Sequence, residues 1–118
     1  MKNPADCLFC KIIAGDIPAT KVFESDSVIG FNDINPQAPV HVLFIPREHV
    51  RSAAELHDDQ AHLAGELILA ARAYAAQIGI SDEGFRLVIN CNGHGGQTVY
   101  HLHLHLLGGE QLALGFGS

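Results

Sequence analysis

No stretch of this chain is apolar for long enough to cross a bilayer; runs such as Val42 to Pro46 fall far short of the roughly 20 residues a spanning helix needs. Basic residues are also scarce. Seven Lys and Arg stand against thirteen Asp and Glu, a net charge of −6, and no basic run occurs. Such a chain cannot neutralise a row of phosphates, which argues against polymeric nucleic acid as a partner. A single phosphate is less demanding, because a few backbone N–H groups and neutral imidazoles can hold it, so a mononucleotide stays open. Met1 to Asp6 lacks the basic flank and apolar stretch of a secretory signal, so the expected location is the reducing cytoplasm, where structural disulfides are disfavoured. There are only three cysteines, and Cys7 and Cys10 form a Cys-x-x-Cys pair, a spacing that favours metal binding or redox work in that setting.

At 118 residues the chain is large enough for one core and too small for a cofactor domain beside a substrate domain, so residues 1–118 read as a single domain with no organic cofactor. Leu8 to Ala14 is apolar at helical spacing and stops at Gly15, a short capped helix. Thr20 to Glu24 and Val28 to Phe31 flank Ser25-Asp-Ser and read as a hairpin; Asn35 to Pro39 is a proline-bearing loop. His41 to Pro46 is apolar on both faces, a central-strand candidate. A short helical segment is expected at Ser52 to Leu56. The best helix runs from about Asp59 to Ile78, capped by Asp58 or Asp59 and ended by Gly79, with Leu63, Leu67, Ala71, Tyr74 and Ile78 as its core stripe. Phe85 to Cys91 and Val99 to Leu107 complete five strands, and Ala113 to Ser118 is expected to be loosely held. Short connections predict an α+β fold: a five-stranded antiparallel meander sheet with one long and one short helix, the helices on one face.

The chemistry concentrates in His101-Leu-His103-Leu-His105-Leu-Leu. Along a strand, alternate side chains share a face, so the three imidazoles line one side while Leu102, Leu104 and Leu106 anchor the other. Neighbouring histidines on that face would be about 6.5 to 7 Å apart at the backbone, close enough to serve one site without forming one cluster. Three readings follow: a solvated face, a zinc hydrolase with His101, His103 and His105 as ligands, or an imidazole nucleophile whose other nitrogen is fixed by a hydrogen bond. The strand offers no carboxylate as general base for the zinc hydrolase.

Gly95-Gly-Gln-Thr-Val-Tyr-His-Leu-His-Leu-His-Leu-Leu-Gly-Gly109 resembles the signature of the histidine-triad (HIT) family, and of its Hint branch of purine nucleoside phosphoramidases in particular. Phe31-Asn-Asp-Ile-Asn-Pro-Gln-Ala-Pro-Val-His41 with Ile45-Pro46 resembles that branch's upstream nucleotide-contact segment. The resemblance implies a HIT-like fold and cleavage of P–N bonds in AMP amides, with aminoacyl-AMP as a further substrate, His103 as the nucleophile and His105 against the phosphate oxygens. It places Gly96, Gln97, Thr98 and Val99 around the α-phosphate, with Thr98 keeping the hydroxyl of the branch's usual serine. Asp33 would accept the ribose hydroxyls, Phe9, Phe31 and Ile34 would surround a purine base, Asn90 would contact or brace the ligand, and His41 matches the upstream helper histidine. Leu104 and the terminal Leu-Leu-Gly-Gly fit Hint better than the dinucleoside polyphosphate hydrolases of the Fhit branch; a nucleotide-binding protein with little turnover is a further alternative.

Several bacterial family members hold a structural Zn with two cysteines, a histidine and the first histidine of the triad. Carried to this chain, those ligands are Cys7, Cys10, His49 and His101, which makes His101 a metal ligand ahead of a catalytic group. Free thiols packed at a helix start are the alternative. His57, His62 and His94 read as surface or loop histidines, and Cys91 as a small buried apolar residue. Family members also pair through the long helix and a strand, so a homodimer is expected.

Overall fold

The computed structural model describes residues 6–115, so the expectation of a loosely held tail extends at residues 116–118 beyond the described part. Helix α1 (Leu8–Ala14) is closed by Gly15 in the left-handed region at φ 83°, a conformation that glycine adopts without the Cβ penalty. The hairpin β1 (Lys21–Glu24) and β2 (Val28–Asn32) turns on Ser25, whose hydroxyl accepts the Val28 N–H at 3.0 Å. Strand β3 (Val40–Pro46) follows the proline loop, and 3₁₀ turns at Ala53–Glu55 and Asp58–Gln60 lead into α2 (Ala61–Gln77). Then come β4 (Phe85–Val88), a single turn α3 (Asn92–Gly95) and β5 (Leu104–Gly108).

All five strands pair antiparallel in the order β1-β2-β3-β5-β4, and β3 is central as its two-sided apolar pattern predicted. The chain departs from a sequential meander at one point. After β3 it crosses by way of α2 to the edge, lays down β4 there, and returns to insert β5 between β3 and β4. The two main helices lie on opposite faces of the sheet, not on one. Val28, Val42, Phe44, Leu104 and Leu106 pack with Leu63, Leu67, Ala71 and Ala75 of α2 on one side. Ile29, Phe31, Leu43 and Ile45 pack with Phe9, Cys10 and Ile12 of α1 on the other. Period-two alternation along β2 and β3 supplies both cores from the same strands, which is why each strand reads as a continuous apolar run.

Further corrections are local. Neither Asp58 nor Asp59 caps α2: both sit in the preceding 3₁₀ turn, whose start is tied by the His57 N–H donating to Gln60 Oε1 at 2.9 Å. Ile78 falls just beyond α2 and is 37% exposed, its place in the stripe taken by Ala75. Cys91 is half-buried, outside the core. Ala113 to Gly115 are exposed, although the Ala113 carbonyl accepts a hydrogen bond from Arg86 at 2.8 Å.

Candidate functional site

The alternating His-Leu run begins outside the sheet. β5 starts at Leu104, where its ladder with β3 stops, so His101 and His103 lie on a lead-in outside the ladder. The Leu102 N–H donates to the Val50 carbonyl at 2.7 Å, and His101 Nε2–H donates to the Pro46 carbonyl at 2.8 Å, so the segment is drawn over the end of β3. The leucines still enter the α2 core while the imidazoles gather on the α1 face. All three are at least half-buried, with His101 0% and His103 5% exposed, which removes the solvated-face reading.

Hydrogen bonds fix a different nitrogen on each ring. With Nε2 donating to Pro46, His101 turns a bare Nδ1 toward Cys7 Sγ and Cys10 Sγ, each at 3.5 Å, and His49 Nδ1 at 3.2 Å; Cys10 Sγ lies 3.4 Å from His49 Nδ1. His103 is the reverse. Its Nδ1–H donates to the His101 carbonyl at 2.7 Å, leaving Nε2 as a free lone pair in a nearly dry setting against the edge of Phe9, ring centres 5.1 Å apart. The third ring is set by a relay. The Gln37 N–H donates to His41 Nδ1 at 3.0 Å, so the His41 proton sits on Nε2 and is donated to His105 Nδ1 at 2.9 Å. His105 therefore carries its own proton on Nε2, and its ring centre stands 5.0 Å from that of His103. A bare nitrogen and a proton-bearing nitrogen thus stand side by side.

Burial lowers the pKa of all three, since charging a ring in this interior is unfavourable. His101 falls to about 4 and His103 falls in the same direction; His105 falls to about 4, with the neighbouring His103 and His41 adding to the burial effect. All three are neutral near pH 7, the state in which Nε2 of His103 is nucleophilic.

Two groups of ligand-bearing side chains occur among the described residues: Cys7, Cys10, His49 and His101, and separately Asp33, His41 and His105. In the first, the spacings above match the edges of a tetrahedron about one ion. Bonds of about 2.3 Å to sulfur and 2.0 to 2.1 Å to nitrogen imply N to N near 3.3 Å and S to N near 3.6 Å. The donors suit the role as well: Cys7 caps α1 and its Sγ accepts the Cys10 N–H at 3.3 Å, while burial pushes the Cys10 thiol up to about 12, a cost that a bound cation would remove. These four residues could hold a metal ion. The second group does not fit one, because the His41 nitrogen facing the carboxylate and His105 already bears a proton. No grouping unites His101, His103 and His105 as ligands of one ion, which counts against the zinc-hydrolase arrangement.

The remaining expected residues surround His103 unevenly. Phe9 and Phe31 are buried and meet edge to face at 5.4 Å, while Ile34 is fully exposed. Asp33 Oδ1 accepts the Asn35 N–H at 2.8 Å and its Oδ2 lies 3.4 Å from His41 Nε2, so it orders its turn and keeps a side 20% open. Asp33 and Ile34 line a shallow cavity of about 320 Å³ with Pro18, Ala19, Thr20 and Asn32. Thr98 is exposed and Val99 half-buried. Asn90 lies past the end of β4, where its backbone comes within 4 Å of the position a Gly95 side chain would take. Gly96 is left-handed at φ 84°, so glycine is required there by backbone conformation. Gln97 is buried. Its Nε2 donates to the Arg51 and Val99 carbonyls at 2.9 and 3.0 Å, its Oε1 accepts the Asn92 N–H at 2.8 Å, and its backbone N–H donates to the Asn92 carbonyl at 3.0 Å, which leaves no donor for a phosphate. Sequence reasoning missed the hydrogen-bonded Gln37 amide, which has no side-chain signature at all. His57, His62 and His94 are exposed, as expected.

A sequence profile described as the HIT domain matches residues 14–112. The chain belongs to the HIT domain family. Among its HIT relatives, the purine nucleoside phosphoramidase of Escherichia coli is 43% identical over 107 residues, 91% of this chain and 90% of that protein. A histidine triad protein from Clostridium difficile superposes with a TM-score of 0.94 at 41% identity, covering 96% of this chain and 98% of that one. A HIT family hydrolase from Legionella pneumophila superposes with a TM-score of 0.89 at 49% identity, covering 92% and 96%. These likenesses support a nucleotide hydrolase, and the five-stranded antiparallel sheet with its helices is the HIT fold. No helix among the described residues is long and apolar enough to cross a membrane.

Proposed function

We propose that this HIT protein hydrolyses purine nucleoside 5′-phosphoramidates such as AMP amides, and also aminoacyl-AMP, whose leaving group at phosphorus is a carboxylate, through a nucleotidyl-histidine intermediate on His103. The observation that carries the reading is the buried His103 ring, whose Nδ1–H is held by the His101 carbonyl so that Nε2 presents a lone pair. The likeness to a purine nucleoside phosphoramidase supplies the substrate class.

In this mechanism Nε2 of His103 attacks the α-phosphorus. A P–N(His) bond forms and the bond to the leaving amine breaks, its electron pair leaving with the nitrogen, which takes up a proton supplied by solvent water by way of the Thr98 hydroxyl. Water then attacks the same phosphorus and gives a proton back to solvent, the P–N(His) bond breaks with its electron pair returning to Nε2, and AMP and a neutral His103 result; one hard displacement becomes two easier ones. His105 Nε2–H donates to a phosphate oxygen, its proton held in that position by the Gln37, His41 and His105 relay. Thr98 offers an N–H and a hydroxyl at the phosphate, where they can stabilise developing charge or help protonate the amine. Val99 and Gly96 shape that edge, Asp33 accepts the ribose hydroxyls, and Phe9, Phe31 and Ile34 bound the base, with Asn90 behind the glycine loop. His101 acts by its carbonyl on His103 and by its ring on the metal.

The metal in this reading is zinc, held by Cys7, Cys10, His49 and His101 in a structural role. When bound it would tie α1 to the segment after β3 and to the lead-in of β5. Two copies are expected to pair, since β4 is an unpaired sheet edge beside Ile89 at 38% exposure and α2 shows Ile68 and Leu69 at 46% and 54%. The deciding experiment is incubation with an AMP amide carrying a fluorogenic amine, followed by rapid quench and mass analysis. An adduct of nucleotidyl mass on His103 is expected, and full turnover by His103→Ala would overturn the reading. Preferential cleavage of dinucleoside polyphosphates would move the activity to the rival branch.

A further inference from the structure

The position of Gln97 between the glycine loop and Thr98 invites a role on the phosphate, yet its side chain turns the other way. It is 5% exposed, and both amide protons and the amide oxygen are matched to backbone groups from three separate segments. Oε1 takes the N–H of Asn92, the residue whose left-handed φ of 58° starts the turn of α3. One Nε2 proton goes to the Arg51 carbonyl on the segment after β3, and the other to the Val99 carbonyl one residue past Thr98. A buried amide with two donors and one acceptor fully matched has a single satisfied orientation, and any rotation strands polar groups in a dry interior. The same segment after β3 is tied again, because Val50 accepts the Leu102 N–H at 2.7 Å. Thr98 itself is exposed, and its N–H and hydroxyl have no partner among the described residues.

We infer that Gln97 is a positioning residue: its side chain clamps Asn92, Arg51 and Val99 into one rigid unit and so holds the N–H and hydroxyl of Thr98 ready for the α-phosphate. This rests on the phosphoramidase reading for its catalytic consequence, and on the hydrogen-bond pattern alone for the clamp. Binding of the base and ribose lies outside its reach, since the cavity beside Asp33 is built from other segments. Loss of the clamp therefore frees the phosphate edge and spares the nucleoside end. A misplacement of about 1 Å at such an edge costs roughly 100-fold in rate.

The test uses the full chain with Gln97→Met, which keeps the volume and removes the hydrogen bonds, and Gln97→Glu, which keeps the oxygen facing Asn92 and removes the two donors. Amide exchange is measured on the ligand-free proteins, together with adenosine and AMP binding and the kcat and KM for an AMP amide. Gln97→Met is expected to speed exchange at Asn92 and Leu102 at least about tenfold. It should also lower kcat by roughly 30- to 100-fold while adenosine affinity stays within about threefold of the parent. Gln97→Glu is expected to retain protection at Asn92 and lose it at Leu102. Unchanged exchange in Gln97→Met together with weaker AMP binding would mean that Gln97 touches phosphate directly, and would overturn the clamp; so would parent-like kcat. If the parent protein cleaves no P–N bond, the phosphoramidase reading fails by itself, and exchange in the ligand-free variants still decides the clamp. If Gln97→Met does not fold, Gln97→Glu is decisive, and parent-like protection at Leu102 overturns the proposal.

Discussion

His101 and His103 are two residues apart on the same segment, share the α1 face, are both buried, and both meet the Phe9 ring in a T-shaped arrangement. Their surroundings give them opposite tautomers. The Pro46 carbonyl takes the Nε2 proton of His101 and turns a bare Nδ1 to two thiols and His49; the His101 carbonyl takes the Nδ1 proton of His103 and leaves Nε2 bare. The proposal that one ring ligates a metal and the next attacks phosphorus rests on which carbonyl lies within reach of each. In a neutral imidazole a single proton decides which nitrogen can share electrons, so second-layer hydrogen bonds assign the chemistry.

The sharpest way to break this comparison is to remove each ring in turn. His103→Ala is expected to lose turnover by at least about 1,000-fold with its metal content intact, as expected for the loss of a nucleophile. His101→Ala is expected to lose the metal first, read by elemental analysis of the purified variants. Equal metal content in both variants would show that the two rings are not divided as described.

A smaller effect is expected on the metal side. The double variant Cys7→Ser, Cys10→Ser should bind no zinc and melt about 10 °C lower, which at this chain length corresponds to roughly 2 kcal/mol. Turnover should fall less steeply than in His103→Ala, because Phe9, which lies between the two cysteines, still lines the nucleophile. A melting point unchanged on chelation would show that the four donors hold no stabilising ion.

The pH profile distinguishes the nucleophile's end in another way. The folded values of His103 and His105 lie below the ordinary 6.5, His105 at about 4, so the acid limb of the activity should fall below pH 6.5, as those rings protonate. Stability has the same sign. A histidine with a lowered folded pKa leaves the unfolded chain binding more protons between the two values, so stability drops as pH falls below 6.5 toward 4. An acid limb in kcat/KM centred at 6.5 or above would contradict neutral buried rings.

The smallest expected effect is at Thr98. Thr98→Ser should stay within about threefold of the parent and Thr98→Val should lose roughly 10- to 100-fold in kcat, the worth of one hydrogen bond to developing charge. A parent-like Thr98→Val would leave the N–H as the group that matters there.

Much of this could be read from the chain itself. Gly15 ended α1 where expected, the two-sided apolar run at β3 marked the sheet centre, and the Cys-x-x-Cys pair pointed to a ligand set that the fold brings together. These are local signals: a left-handed cap, a period of two, and a spacing across one helical turn. What the alternating His-Leu pattern could not tell is where the strand begins, because alternation runs through residues 101–103 while that lead-in is tied by side chain and backbone to Pro46 and Val50 and forms no ladder with β3. The same holds for Gln97, which reads as a ligand contact next to a glycine loop and proves to face inward.

The sequence by itself determined the family, the alternation that separates leucines from histidines, and the inventory of donors. Only the tertiary structure decided which face each helix covers, that β5 enters between β3 and β4, and which nitrogen of each histidine is free. Those outcomes depend on carbonyls and amides from segments remote in the chain, and every residue type carries the same backbone groups, so no pattern of side chains encodes their meeting.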